Sequence, residues 1–367
     1  MQFIHIYVKD NIIKDIIHST TYIVIISKKQ KDTVKRKRYT NTEKKKRKDK
    51  RKEIVIYIDI YMNLFKLNIC KTTNIATLTL TNSQRTNPLS LHLMNNLIST
   101  IETKIENNEN VRALIFKAEK CNNNNNTNTN WFSSGHDVND LFDKKQNYSL
   151  YYDNDKDNKQ YLKNVFHTCT LLNLKIHHLK QPTITIVDNQ KCYSGGLQLI
   201  ASTDIILATT NSEFSIPGSQ RGRFCSTPSV SISNRIGYNK TLEYLLTGKK
   251  INAYEAYRVG LINYLCKEEG NNNNSEDKGS SSSVDDGDEL LSIDDTLEQI
   301  TNQLIHTSYN IELGKRGFIE SSKYIGLDLN KQYELAEQNM IQIFCTKDAS
   351  EGTKSMYEKR LPSWEEQ

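Results

Sequence analysis

The chain has 367 residues, 37% of them hydrophobic and 25% charged, and a formal net charge of +6, which is enough material for a sizeable core. No apolar run reaches the roughly 18 residues of a membrane span, because Lys9, Asp10, Lys14 and Asp15 interrupt the first candidate and Lys28 closes the next. The seven cysteines (Cys70, Cys121, Cys169, Cys192, Cys225, Cys266, Cys345) are scattered without a C-x-x-C pair, which points to a reducing compartment and leaves no clustered zinc ligands.

Residues 1–61 hold 17 Lys and Arg against 7 Asp and Glu, a net +10 that leaves −4 on the rest of the chain. Nucleic-acid binding could rest only on Lys35–Arg38 and the Lys44–Lys52 tract, and these read as a solvated tail, so no nucleic-acid partner is expected. The leader is rich in Ile and Lys, with Asp10, Asp15 and Asp32 interspersed. An organelle presequence is instead Arg- and Ser-rich and poor in acids. The leader is predicted either to be disordered or to be absent, with translation beginning at Met62. Two further low-complexity inserts, at 121–130 and 268–288, are too polar to offset chain entropy by burial. The expected organisation is thus an α/β core over 62–293 and a helical region over 294–367.

Within the core, Ile75–Thr81 alternates apolar and polar residues and predicts a half-buried strand. Behind Ser90, Leu89, Leu93, Leu97, Ile101 and Ile105 recur every four residues, which predicts an amphipathic helix ending near Asn107-Asn108. A strand over Val111–Lys117 follows, then a helix over Tyr161–His178, a strand over Thr183–Val187, a short helix over Gly195–Ala201 and a strand over Ile205–Thr209. Strands separated by helices suggest parallel pairing with functional groups at strand-to-helix turns. The C-terminal region predicts helices at Thr296–Ser308, Ile311–Ser322 and Leu329–Phe344. His177-His178 point in different directions on one helix and read as surface.

Two glycine-bearing loops stand out, Phe132-Ser133-Ser134-Gly135-His136-Asp137 and Ser194-Gly195-Gly196. A small-residue run followed by Gly can aim a bare backbone N–H into a cleft, the geometry of an oxyanion hole. Either loop alone reads as a tight turn that needs Gly at positive φ; the two together favour the functional reading.

These loops, together with Asn87-Pro88-Leu89-Ser90, Ser202-Thr203-Asp204-Ile205 and the ending from Asp348 through Glu351-Gly352, Lys359-Arg360 and Pro362 to Trp364, resemble the crotonase (enoyl-CoA hydratase/isomerase) superfamily over about Ile75–Trp364. Pro217-Gly218, Gly222 and Phe224-Cys225-Ser226-Thr227-Pro228 mark a subgroup, since that last run is unusual in ordinary hydratases. The resemblance implies a crotonase (ClpP-like) β-β-α superhelix with a helical C-terminal region. It also implies homotrimers or hexamers, a mitochondrial or otherwise cytoplasmic setting, and a role in fatty-acid metabolism. No cofactor and no metal is implied; a CoA thioester is the substrate or ligand, its carbonyl meeting the backbone N–H groups of His136 and Gly195. Ser133, Ser134, Gly135, His136, Asp137 and Gly196 are implied to bind that ligand.

Where that family places the two carboxylates that hold water for hydration, this chain has Gln198 and Gly218. Neither exchanges a proton near neutral pH, and no Asp or Glu occurs between Glu213 and Glu243. Asp137 is expected to fix its own loop by accepting backbone N–H bonds, Asp140 is a remaining carboxylate, and Asp204 is expected to be structural. The His136 imidazole is expected to contact CoA or solvent, Cys225 to be buried and inert, and Arg221 and Arg223 to be surface residues unless they clamp an acyl carboxylate or a CoA phosphate. Ordinary enoyl-CoA hydration is therefore in doubt. An active hydratase/isomerase-type lyase, a non-catalytic acyl-CoA-binding protein and a malonyl-type CoA decarboxylase stay open.

Overall fold

The computed structural model describes residues 4–6, 23–24, 57–62, 64–120, 130–141, 156–268, 290–305, 307–308 and 310–364. Most of the leader, the Asn run and the Ser-rich insert, all expected to be disordered, lie outside the described residues. Three strands fall in or across the leader: β1 (Ile4–Ile6), β2 (Ile23–Val24) and β3 (Tyr57–Met62), the last spanning the expected boundary at Met62.

β3 pairs antiparallel with β4 (Phe65–Cys70), and β4 with β5 (Ile75–Leu80). Helix α1 (Leu91–Thr100) starts where Ser90 Oγ accepts the Leu93 N–H at 3.2 Å, an N-cap, and runs on as a π-helical turn over Ile101–Glu106. Strands β6 (Ala113–Ala118) and β7 (Trp131–Ser133) lead to α2 (Val138–Leu141) and α3 (Lys156–His178). Then come β8 (Thr183–Val187), β9 (Lys191–Tyr193) and α4 (Gly195–Ala201). β10 (Ile205–Thr209) and β11 (Glu213–Ser215) precede α5 (Ser226–Ile236) and α6 (Tyr238–Thr247). The body closes with β12 (Lys250–Asn252), α7 (Ala253–Arg258) and β13 (Tyr264–Cys266). The C-terminal region is α8 (Ile293–Ile305), α9 (Asn310–Ser322), α10 (Leu329–Phe344) and α11 (Lys347–Glu358).

The described strands form a nine-stranded sheet, β13-β10-β8-β6-β5-β4-β3-β1-β2, and a four-stranded sheet, β12-β11-β9-β7. β6-β7-α2, β8-β9-α4 and β10-β11-α5 repeat one turn of a superhelix: one strand to each sheet, then a helix. The second-sheet strands, three residues each, are too short to show a hydrophobic period, and none was expected from the sequence. Both glycine loops therefore follow second-sheet strands, β7 and β9, and not directly the first-sheet strands that end at Ala118 and Val187.

Period-two alternation splits the core in two. Ala76, Leu78, Leu80, Leu114 and Phe116 face the second sheet with α1, α3 and α4. Ile75, Ile115, Ile184, Ile186 and Leu207 face Ile293 and Ile300 of α8. β8 is buried on both faces, as a central parallel strand should be.

Arg235 on α5 anchors the far end of α4. Its guanidinium donates to the Ala201 carbonyl at 3.0 Å and to those of Thr203 and Asp204, satisfying acceptors that a helix end leaves open. Asp204 accepts the Thr183 N–H at 2.7 Å and hydroxyl at 2.9 Å and pairs with Lys315 of α9, a structural role. The C-terminal motif is structural in the same sense. Arg360 chelates Glu351 at 2.5 and 2.9 Å, the Ser363 N–H donates to Glu351, and Trp364 lies over Gly352.

Candidate functional site

The loop after β7 is held on every side but one. Phe132 is fully buried. The Ser133 hydroxyl donates to Asn87 O at 2.8 Å and accepts the Gly135 N–H at 3.2 Å, and the Asn87 amide donates to Trp131 O at 2.9 Å. Ser134 N–H donates to Thr86 O, and its hydroxyl accepts from that of Thr86. Leu89 acts as a clamp: its N–H donates to Gly135 O at 2.8 Å and its carbonyl accepts the Asp137 N–H at 3.2 Å. Residues flanking His136 thus bond to Leu89, and in such a bridge the central residue's own N–H points the other way. Asp137, buried, accepts from Asn139 N–H at 2.9 Å and from Arg85, which pins the loop.

The loop after β9 arrives on that open side. β7 and β9 pair in parallel, Ser133 opposite Cys192, so the turns that follow them lie side by side. Gly135 has φ +95, and a Cβ there would come 2.9 Å from Gly195 N. A Cβ on Gly196 would come 2.7 Å from Ser133 O. No side chain fits at either position. A Cβ built on Gly195 would lie 3.5 Å from the His136 nitrogen, so the backbones of the two residues run side by side. Gly195 opens α4, where N–H groups have no intrahelical acceptor. Among the described residues neither the His136 nor the Gly195 N–H donates a hydrogen bond. Ser194, which makes the turn, has φ +50 and ψ −118, a conformation that costs a non-glycine residue about 1–3 kcal/mol.

The structure thus brings Ser133, Gly135, His136, Gly195 and Gly196 together, with Ser134 and Asp137 bracing them. The His136 imidazole, expected to meet CoA or solvent, instead packs edge-on against Phe166 of α3 at 5.3 Å, with both ring nitrogens enclosed and unbonded. Burial lowers its pKa to about 4, against a smaller opposing pull from Asp140. Asp140 is itself engaged, accepting from Leu91 N–H at 2.6 Å and from the Tyr161 hydroxyl. Gln198 lies buried on α4, with Oε1 3.7 Å from Cys169 Sγ.

Gly218 opens the short 3-10 turn Ser219–Arg221. A Cβ there would come 2.6 Å from Cys225 Sγ, so the volume of a side chain at 218 is already filled by that thiol. Cys225 is partly buried and hydrogen-bonds to Gly218 and to the Ser194 side chain; burial pushes its thiol pKa up, which disfavours the thiolate. Arg221 and Arg223 are exposed. The sequence reading missed Phe166 and Cys169, whose signal is the stripe 166-169-173 on one face of α3. A cavity of about 760 Å³ lies elsewhere, lined by Thr77, Thr79, Lys117 and Glu298 on the α8 face of the sheet.

A sequence model of the enoyl-CoA hydratase/isomerase family matches residues 71–274. The mitochondrial enoyl-CoA hydratase domain-containing protein 3 of Rattus norvegicus is 30% identical over 79% of this chain and 81% of its own length. That of Xenopus laevis is 31% identical over 78% and 81%. The crystal structure of the human protein of that name superposes with a TM-score of 0.66 at 26% identity, over 82% of this chain and 100% of the other. An enoyl-CoA hydratase from Mycobacterium smegmatis, 24% identical, shares the fold with a TM-score of 0.64 over 83% and 99%.

Gly218→Ala should destabilise the fold by about 1–3 kcal/mol through overpacking, and adding Cys225→Ala should restore most of that loss in urea unfolding. Strictly additive losses would mean that the two residues do not compete for one space. His136 makes stability depend on pH in a defined window. Its native pKa lies near 4 against 6.5 unfolded, so the unfolded chain binds the proton first. Its contribution is intact above pH 6.5 and is lost as pH falls towards 4, by about 3 kcal/mol in total. His136→Leu should flatten that part of the stability–pH curve; an unchanged slope would show that the ring is not the group titrating.

Proposed function

The chain belongs to the enoyl-CoA hydratase/isomerase family, and from that premise we propose that it binds a fatty acyl-CoA thioester in mitochondrial fatty-acid metabolism. The thioester oxygen sits between the His136 and Gly195 N–H groups. The observation that supports this reading is the close packing of the two loops, which sets the unpaired His136 and Gly195 N–H groups side by side next to two glycines, Gly135 and Gly196, that tolerate no Cβ. Each such donor can stabilise a developing oxyanion by roughly 2.7–4 kcal/mol.

Ordinary hydration is not part of the proposal. It needs a carboxylate to take a proton from water and an acid to return one to carbon. Gln198 and Gly218 supply neither, and at 218 the side-chain volume is taken by Cys225. Asp137, Asp140 and Asp204 are committed to backbone N–H groups. The exposed positions of Arg221 and Arg223 lend no support to a decarboxylase that clamps a malonyl carboxylate.

CoA thioesters should raise the melting temperature of the purified chain, with stabilisation growing as the logarithm of ligand over Kd, while crotonyl-CoA should not be hydrated. Hydration at an ordinary hydratase rate would overturn the reading of Gln198 and Gly218, and absence of any thioester-dependent shift would overturn the reading as a whole.

The proposal extends to self-association. Helix α10 buries none of its residues, and Phe318, Tyr333, Ile341, Phe344 and Met356 of α9–α11 are exposed, large apolar side chains of the kind that self-association covers. A homotrimer or hexamer would cover it. Light scattering should report such an oligomer and its loss in Ile341→Lys with Phe344→Asp; a monomeric wild type at micromolar concentration would rule it out.

A further inference from the structure

Resting on the proposed thioester site, we propose that Gln198 is a specificity residue whose side-chain amide donates a hydrogen bond to a neutral oxygen on the acyl chain, selecting 3-oxoacyl thioesters over unsubstituted ones. The orientation of that amide follows from a chain of buried groups that ends on a backbone carbonyl. Asn173 Nδ2 donates to Cys169 O at 2.8 Å; a carbonyl can only accept, so this end of the Asn173 amide is nitrogen. Its Oδ1 then accepts from the Ser202 hydroxyl at 2.8 Å. The same Nδ2 lies 3.5 Å from Cys169 Sγ and makes the sulfur an acceptor there. The thiol donates its one proton to Gln198 Oε1, 3.7 Å away, so the glutamine has its oxygen on the α3 side and its nitrogen on the other.

Gln198 is 4% exposed, and among the described residues its Nε2 has no acceptor, although it is not one of the fully enclosed unsatisfied atoms. A nearly buried donor without a partner is expensive, and in the proposed site it is the donor left for a ligand. Cys169 is one turn of α3 beyond Phe166, against which the His136 ring packs, and Gln198 is three residues along α4 from Gly195, a rise of roughly 4.5 Å. In the proposed pose the amide lies beside the substituents of carbon 3 of an acyl chain whose carbonyl is held by His136 and Gly195. The oxygen it meets is uncharged, because His136 is neutral above pH 4 and Arg221 and Arg223 are exposed, so a buried carboxylate would lack a counter-charge.

Calorimetric titration of the full chain with acetoacetyl-CoA and butyryl-CoA, which differ only by the oxygen at carbon 3, tests this. Wild type should bind acetoacetyl-CoA roughly five- to tenfold tighter, the fold-change of one hydrogen bond. Gln198→Met should erase the difference by weakening acetoacetyl-CoA alone. Cys169→Ala, which frees the amide to turn, should shrink the difference and serves as the test if Gln198→Met does not fold by circular dichroism. Equal wild-type affinities, or a preference that survives either substitution, would overturn the proposal while leaving the thioester site standing; binding of neither thioester would overturn both.

Discussion

The site depends on one close approach, the backbone of Gly135 against that of Gly195, repeated by Gly196 against Ser133. With Cβ positions 2.9 and 2.7 Å from backbone atoms, any side chain at Gly135 or Gly196 would drive the loops apart and with them the two free N–H groups. The approach is imposed from below by the parallel pairing of β7 with β9 and from the side by the Leu89 clamp. Ser194 absorbs the strain at φ +50. It is held by its N–H bond to Ser215 O at 3.0 Å and its side-chain contact with Cys225. The surrounding structure over-determines that conformation, the condition under which strain persists.

The side chains around those donors have a coherent character. They include an amide at 198, a thiol with a raised pKa at 225 in place of a side chain at 218, and a neutral imidazole at 136. The nearby carboxylates are spent on backbone N–H groups: Asp140 on α1, Asp137 on its own loop and Asp204 on β8. In the proposed reading such groups would polarise a carbonyl and recognise a neutral oxygen, and the described residues here offer no pair of groups to exchange protons with water.

Much of the first sheet was legible because its strands and helices are long enough to carry a period. Thr183–Val187, Gly195–Ala201, Ile205–Thr209 and Leu329–Phe344 lie where the pattern put them. The second sheet was not, because three-residue strands such as Trp131–Ser133 and Lys191–Tyr193 show no alternation to count. Hence the strands that directly precede the two glycine loops were not legible. α11 escaped notice as a helix because its motif, Glu351-Gly352 with Arg360 and Trp364, reads as a signature before it reads as a structure.

The residue types at the site were settled by sequence alone: glycine at 135, 195 and 196, and no carboxylate at 198 or 218. Those are properties of single positions, and the physical chemistry of an amide or a bare Cα does not depend on what surrounds it. Tertiary structure alone decided which N–H groups stay unpaired, that Cys225 fills the volume beside Gly218, that the His136 ring is enclosed, and which way the Gln198 amide faces. Each is a matter of shared space or of one proton shared among several acceptors. Partners such as Cys169 and Gln198, 29 residues apart, meet only once the superhelix has closed.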